Sequence, residues 1–273
     1  MKKLISILVF IMAVLSGCEN QNNATEMITE ELNTTEAQKT VELSKADIGD
    51  IVQMGTYEQD GDPETEDPIC WDVLDKDGDA VLLISHDVIA YQRFSDSAKC
   101  VIWEDSQIRS WLNQAFYAEA FDETEQASIR ETTLENPSTV EFAAHIRPAV
   151  EVQIRESRPD TKDKIFMLSW KEAEQYYGKG LRNESVLGRR PSSAVLQKRK
   201  TLFTELLIGK FSDSSSNTLS LVDGTERLSW MLRSTGYDGI NCILVIGYDG
   251  KRSQDKAASY NGVRPAMWVN VGD

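Results

Sequence analysis

The period of apolar and polar positions changes several times along this chain, and each change predicts an element. Behind Met1-Lys2-Lys3, "LISILVFIMAVL" is one unbroken apolar run, short for a bilayer-spanning helix. Residues 19–46 contain no aromatic residue, proline or glycine. Polar and acidic residues dominate there, so too little apolar surface exists to offset ordering entropy, which predicts a flexible tether. From residue 47 the pattern becomes that of a folded domain. "IGDIVQMGTYEQ" has strand character, and "CWDVLDKDGDAVLLIS" reads as a hairpin turning at Asp77-Gly78. "EDSQIRSWLNQAFYAEAF" then switches to helical spacing, with Ile108, Trp111, Leu112, Ala115 and Phe116 on one face. "DETE" at 122–125 has capping-box spacing and predicts a second helix running toward Thr133. After a loop marked by Pro137, Pro148 and Pro159, "DKIFMLS" reads as a buried strand. Ser169 and Glu172 cap a third helix, "WKEAEQYY", that stops at Gly178. From Thr218 the pattern is β again, in "TLSLVD", "RLSWMLRS", "INCILVIGYDGKRS" and "GVRPAMWVNV".

The residues from 47 onward are enough for one large or two small domains, and 47–273 is read as a single globular domain. A hydrophobic share of 41% and six tryptophans supply its core. The net charge of −15 argues against nucleic acid as a partner and against nonspecific adhesion to anionic lipid. One segment, 179–212, departs from this balance by gathering Lys179, Arg182, Arg189, Arg190, Lys198, Arg199 and Lys200. It reads as a solvated insertion with a helix from about Ser193 to Leu207, or as a docking surface for an anionic cell-wall polymer.

The apolar run ends in "LSGC", followed at once by Glu19-Asn20. Residues 1–18 thus resemble a bacterial lipoprotein signal peptide, in which Cys18 is acylated and becomes the mature N-terminus. The resemblance implies an extracytoplasmic protein held at a bacterial membrane by lipid, since two acyl chains suffice for stable anchoring. The tether would span about 30 Å as a flexible coil. With Cys18 assigned to lipid, Cys70, Cys100 and Cys242 remain, an odd number in an oxidising compartment. The simplest arrangement is one disulfide, Cys70 with Cys100, and Cys242 as apolar filler in a strand.

Candidate chemistry is sparse. His86 and His145 have no metal-ligand spacing, and no metal or cofactor site is legible. "DKDGD" lacks the glycine and the closing acid of a calcium loop. No nucleophile elbow, phosphate loop or dinucleotide fingerprint appears. Two "GYDG" turns and Tyr260-Asn261-Gly262 offer Tyr237, Asp238, Tyr248, Asp249, Tyr260 and Asn261 as candidate ligand contacts, a mixture suited to a glycan or a peptide. Arg109 has Asp105 four residues before it as a helical partner. Arg233 and Arg264 lie in apolar, aromatic runs, and strand geometry puts Arg264 on the face of Ala266 and Trp268. Arg109, Arg233, Arg264 and Trp268 therefore read as structural residues, the arginines fastening loops to the core through their donors.

"CWDVLDKDGDAVLLIS", "WEDSQIRSWLNQAFYAEAF", "DKIFMLSWKEAEQYY", "WMLRSTG" and "GVRPAMWV" together resemble an uncharacterised secreted domain, the domain of unknown function 6273, from about Gly49 to Val271. More loosely, "LRS" and "GVR" resemble the end of C-type-lectin-like domains, in the branch shared with formylglycine-generating enzymes. That likeness implies a compact α+β fold with paired first and last strands, two or more helices, and loops that meet ligands. Neither resemblance supplies an activity. A lipid-anchored binding or adhesion module for a glycan or protein is the leading expectation. A cell-envelope hydrolase with an unidentified carboxylate site and a purely structural envelope protein stay open beside it.

Overall fold

The computed structural model describes residues 40–62, 64–96, 102–136, 158–178, 191–198, 220–222, 225–236 and 242–272. The chain divides into two units, 1–39 and 40–273, and every described residue belongs to the second. The signal peptide with Cys18, most of the tether, Cys100, His145, Tyr237 and Asp238 lie outside the described residues. So does all of the basic segment except 191–198, of which 193–198 is helical. The second unit begins before residue 47: Val41 bridges Val52, and Ala46 is buried. Residues 40–46 are thus packed on the first strand rather than being tether.

Among the described residues, thirteen strands form an α+β fold: β1 Ile51–Tyr57, β2 Asp67–Asp77, β3 Ala80–Ser85, β4 Ala90–Arg93, β5 Thr132–Asn136, β6 Arg158–Asp163, β7 Ser220–Val222, β8 Thr225–Arg227, β9 Trp230–Thr235, β10 Cys242–Ile246, β11 Arg252–Lys256, β12 Tyr260–Val263 and β13 Ala266–Asn270. A four-stranded antiparallel sheet runs β1-β2-β3-β13, a five-stranded sheet runs β11-β10-β9-β12-β4, and β5-β6 and β7-β8 are two-stranded ribbons. The hairpin expected at Asp77-Gly78 is β2–β3, with Gly78 at φ 61° supplying the turn. The two ends of the domain share one sheet without pairing: β13 lies against β3, and β1 against β2 on the far edge. β3 therefore sits between β2 and β13 and is buried throughout.

The two sheets meet at a corner built by two links that run antiparallel to each other. Residues 86–89 carry the chain from β3 to β4, and Arg264-Pro265 carries it from β12 to β13. β3 pairs with β13 and β4 with β12, so the links lie side by side. Ser85 N–H donates to Pro265 O at 2.9 Å and Ile89 N–H to Val263 O at 3.2 Å. The terminal strand expected through "GVRPAMWVNV" is thus two strands in different sheets. Pro265 has no N–H to give a ladder, which suits it to the break. Gly262 is required just before the corner, because a Cβ there would lie 2.7 Å from Ser229 O and 2.7 Å from Val88 Cγ1.

The helices cover this frame. Gln107–Trp111, the π-turn Leu112–Phe116 and Tyr117–Ala120 follow one another as a continuous helix, α1, capped by the Ser106 hydroxyl accepting from Arg109 N. Its buried residues are Ile108, Leu112, Phe116 and Ala120, while Ala115 is exposed and Trp111 half-buried. The π-turn widens the helix, so a four-residue spacing stays on one face and the three-residue steps rotate away. The capping box at Asp122 and Glu125 opens a short helix, α2, Glu123–Ser128. It ends well before Thr133, because that residue pairs with Lys162 in β5–β6. "DKIFMLS" is largely buried as expected but is not one strand: Asp163 ends β6, and Phe166 bridges Ala266. The Ser169–Glu172 capping box opens the third helix, α3, Trp170–Tyr177, which Gly178 ends at φ 93°.

Candidate functional site

Three buried or half-buried arginines organise the described part of the chain. Arg264 sits in the inter-sheet corner with 1% exposure. Its Nε donates to Ser85 O at 2.8 Å and its Nη2 to Asp72 Oδ2 at 3.1 Å, while the guanidinium stacks 4.8 Å from the Trp230 ring centroid. The other oxygen of Asp72 meets His86 Nδ1 at 2.5 Å. One carboxylate on β2 thus ties both links of the corner. Trp268, the aromatic residue expected on the Arg264 face, is half-buried on β13, and its carbonyl accepts from Arg130 N at 2.9 Å.

Arg233, on β9, is likewise buried. Its Nη1 donates to Met167 O at 2.9 Å and to Glu172 Oε2; its Nη2 donates to Glu172 Oε1 at 2.8 Å and to Glu135 O at 3.2 Å. This is a bidentate fork, the geometry in which arginine is worth most. Glu172 is also the third residue of α3, accepting from Ser169 N at 2.7 Å. Burial pushes its carboxyl up, but Arg233 and the Ser169 bonds outweigh that and hold it below the usual carboxylate value.

Arg109 does not pair with Asp105. Its Nε donates to Asp163 Oδ1 at 2.6 Å, from the end of β6. Asp163 is 2% exposed and also accepts from Trp103 Nε1 at 2.9 Å and Thr161 Oγ1 at 2.8 Å. Asn113, one turn further along α1, donates to Ile165 O at 2.8 Å and accepts from Lys164 N at 2.8 Å. A buried carboxylate with four donors, Asn113 Nδ2 at 3.4 Å being the fourth, outcompetes an exposed helical partner, because the desolvated bonds are the stronger. Together these contacts bolt α1 to the β5–β6 ribbon.

Beside that bolt lies an open groove of about 470 Å³ between α1 and β6. Arg109, Ser110, Asn113 and Gln114 form its α1 side, and Lys162 and Asp163 its ribbon side. Both charge signs, two carboxamides and a hydroxyl line it. Such a surface can accept and donate hydrogen bonds to a polar, extended ligand, and it offers no apolar floor for a flat hydrophobic one. Ser110, Asn113, Gln114, Lys162 and Asp163 were not singled out by pattern. Polar positions on an amphipathic helix carry no mark of which ones a distant ribbon will enclose.

Of the candidates proposed from the turns, the described ones lie in two different elements. Tyr248 and Asp249 belong to the β10–β11 turn, closed by Gly247 N–H to Lys251 O at 2.7 Å. Asp249 accepts from Lys251 N at 3.1 Å and Lys251 Nζ at 2.9 Å. Burial raises its carboxyl, yet Lys251 brings it below its ordinary value. Tyr260 and Asn261 are strand rather than loop residues, in β12. Asn261 is fully buried, donating to Asp255 Oδ2 at 3.3 Å, so it faces away from any ligand. Tyr260 is half-buried, stacked 5.6 Å from Tyr91 with the Arg93 guanidinium 4.6 Å from its ring. Cys70 and Cys242 are both of intermediate exposure, and burial raises the Cys70 thiol. Among the described residues no cluster of histidine, cysteine and carboxylate groups could hold a metal ion.

In a comparison with known families, the profile of a domain of unknown function, DUF6273, matches residues 78–271. The chain belongs to the DUF6273 family. The matched span runs from the β2–β3 turn to the residue after β13, so it holds all three arginines, Asp163 and the groove. β1 and all of β2, with Asp72, precede the matched DUF6273 span although they complete the first sheet. No curated protein and no solved structure matches the chain.

Proposed function

We propose that this DUF6273 protein is an extracytoplasmic binding or adhesion module, anchored to a bacterial membrane by lipid on Cys18, that holds a glycan or cell-wall polymer in the groove between α1 and β6. The observation that carries the reading is the groove itself: about 470 Å³, lined by polar groups on elements that Asp163 locks together. That volume lies within the range of small-molecule sites, and its polarity suits a hydroxyl-rich chain. Rigid walls reduce the ordering cost of binding. The one buried carboxylate in the wall, Asp163, is occupied by Arg109, Trp103, Thr161 and Asn113, which suits it to holding the walls rather than to acid–base work. The closing "LRS" and "GVR" segments, β9 and β12, lie side by side in one sheet, in keeping with a C-type-lectin-like reading of the fold.

The test is calorimetric titration of the purified protein with soluble peptidoglycan fragments and envelope polysaccharides. Saturable binding without turnover is expected, and Ser110→Ala with Gln114→Ala should weaken it about two- to tenfold per lost hydrogen bond. Released products, or binding indifferent to both substitutions, would overturn the proposal. For the anchor, Cys18→Ser should abolish incorporation of a labelled fatty acid and move the protein out of the membrane fraction.

A further inference from the structure

Arg233 has five N–H donors, and its two terminal nitrogens use theirs on Met167 O, Glu135 O and the Glu172 carboxylate. The fifth donor, Nε, is buried and has no partner among the described residues. Asn136, at the end of β5, shows the complementary defect. Its Nδ2 donates to Pro159 O at 3.0 Å and to Thr161 Oγ1 at 3.3 Å, while its Oδ1 is buried and lacks a donor among the described residues. Both residues line the same small cavity, of about 30 Å³, together with Trp103, Ser169 and Ser234. Arg233 is 2% exposed at its side chain, so bulk solvent does not serve its Nε.

We infer that this cavity is a binding site for a single water molecule that accepts from Arg233 Nε and donates to Asn136 Oδ1. The cavity is large enough to admit a water molecule. The chemistry is selective. The occupant must accept and donate at once, which a carboxylate cannot do, and an ammonium would face a guanidinium. Ser234 Oγ, which accepts from Trp170 N at 2.8 Å, has its own proton left and supplies a third bond of the kind buried waters make. The water links β9 to β5, and so the five-stranded sheet to the ribbon that carries Asp163. It does not depend on what the neighbouring groove binds.

Two measurements on the full chain decide it. A high-resolution crystal structure should show one ordered peak within hydrogen-bond distance of both Arg233 Nε and Asn136 Oδ1. In solution, the Arg233 Nε–H of nitrogen-labelled protein should give a cross-peak to water with the sign of a long-lived bound molecule, and Asn136→Leu, which fills the cavity, should lose it. A dry cavity, a direct Arg233–Asn136 contact, or an Arg233 Nε–H without a water cross-peak in the parent protein would each overturn the inference.

Discussion

Arg264→Met removes the guanidinium from the inter-sheet corner while keeping most of the stem, so it isolates the charged contacts from packing. Two bonds disappear. Ser85 O, in a fully buried residue, loses a donor at 2.8 Å, and an unmet buried acceptor costs about 1–3 kcal/mol. Asp72 loses a charged donor at 3.1 Å, ordinarily worth about 1.5–3 kcal/mol. The Asp72 side chain is 16% exposed and keeps His86, so its loss belongs at the low end. The expected destabilisation is therefore about 3 kcal/mol, the lower edge for breaking a buried pair. In a domain of this size that lowers the melting temperature by about 6–12 °C. Urea denaturation should show a lower midpoint at an unchanged slope, since the native fold is kept. Combining the change with Asp72→Asn should cost less than the sum of the two, because Asn leaves no unpaired charge behind. Stability within about 0.5 kcal/mol of the parent, or an unchanged melting point with lost ligand binding, would refute the clamp and make Arg264 a binding residue.

Two further outcomes follow from other contacts. Glu172 is held below its ordinary value in the fold, so the stability it contributes is complete above about pH 4.5 and is lost as pH falls through its lowered pKa. Glu172→Gln should lower the melting temperature at neutral pH and flatten the acid limb of the stability profile; an unchanged acid limb would show that the Arg233 pair is not its source. Gly262→Ala should cost about 1–3 kcal/mol, measured by denaturation, because the added Cβ meets a backbone oxygen and Val88 at 2.7 Å.

How much of this could be read beforehand depends on the range of each interaction. The helix starts at Asp122 and Ser169 were legible, because a cap is satisfied within three residues of its own chain. The β2–β3 hairpin was legible for the same reason. The end of α2, the exposure of Ala115 and the burial of Asn261 were not, since a ribbon, a π-turn and a neighbouring strand decide them. The arginines lie between these cases. Burial of Arg233 and Arg264 followed from their apolar flanks, but their partners, Glu172 and Asp72, come from positions 61 and 192 residues away.

The sequence by itself determined most strand and helix locations, and the structural role open to the buried arginines, because local periodicity, caps and turn residues act within a few positions. Only the tertiary structure decided where the terminal run breaks between two sheets, that Asp163 rather than Asp105 holds Arg109, and which polar side chains of α1 border a groove. Those outcomes compare bonds made across the fold, where desolvation strengthens a contact that no local spacing encodes.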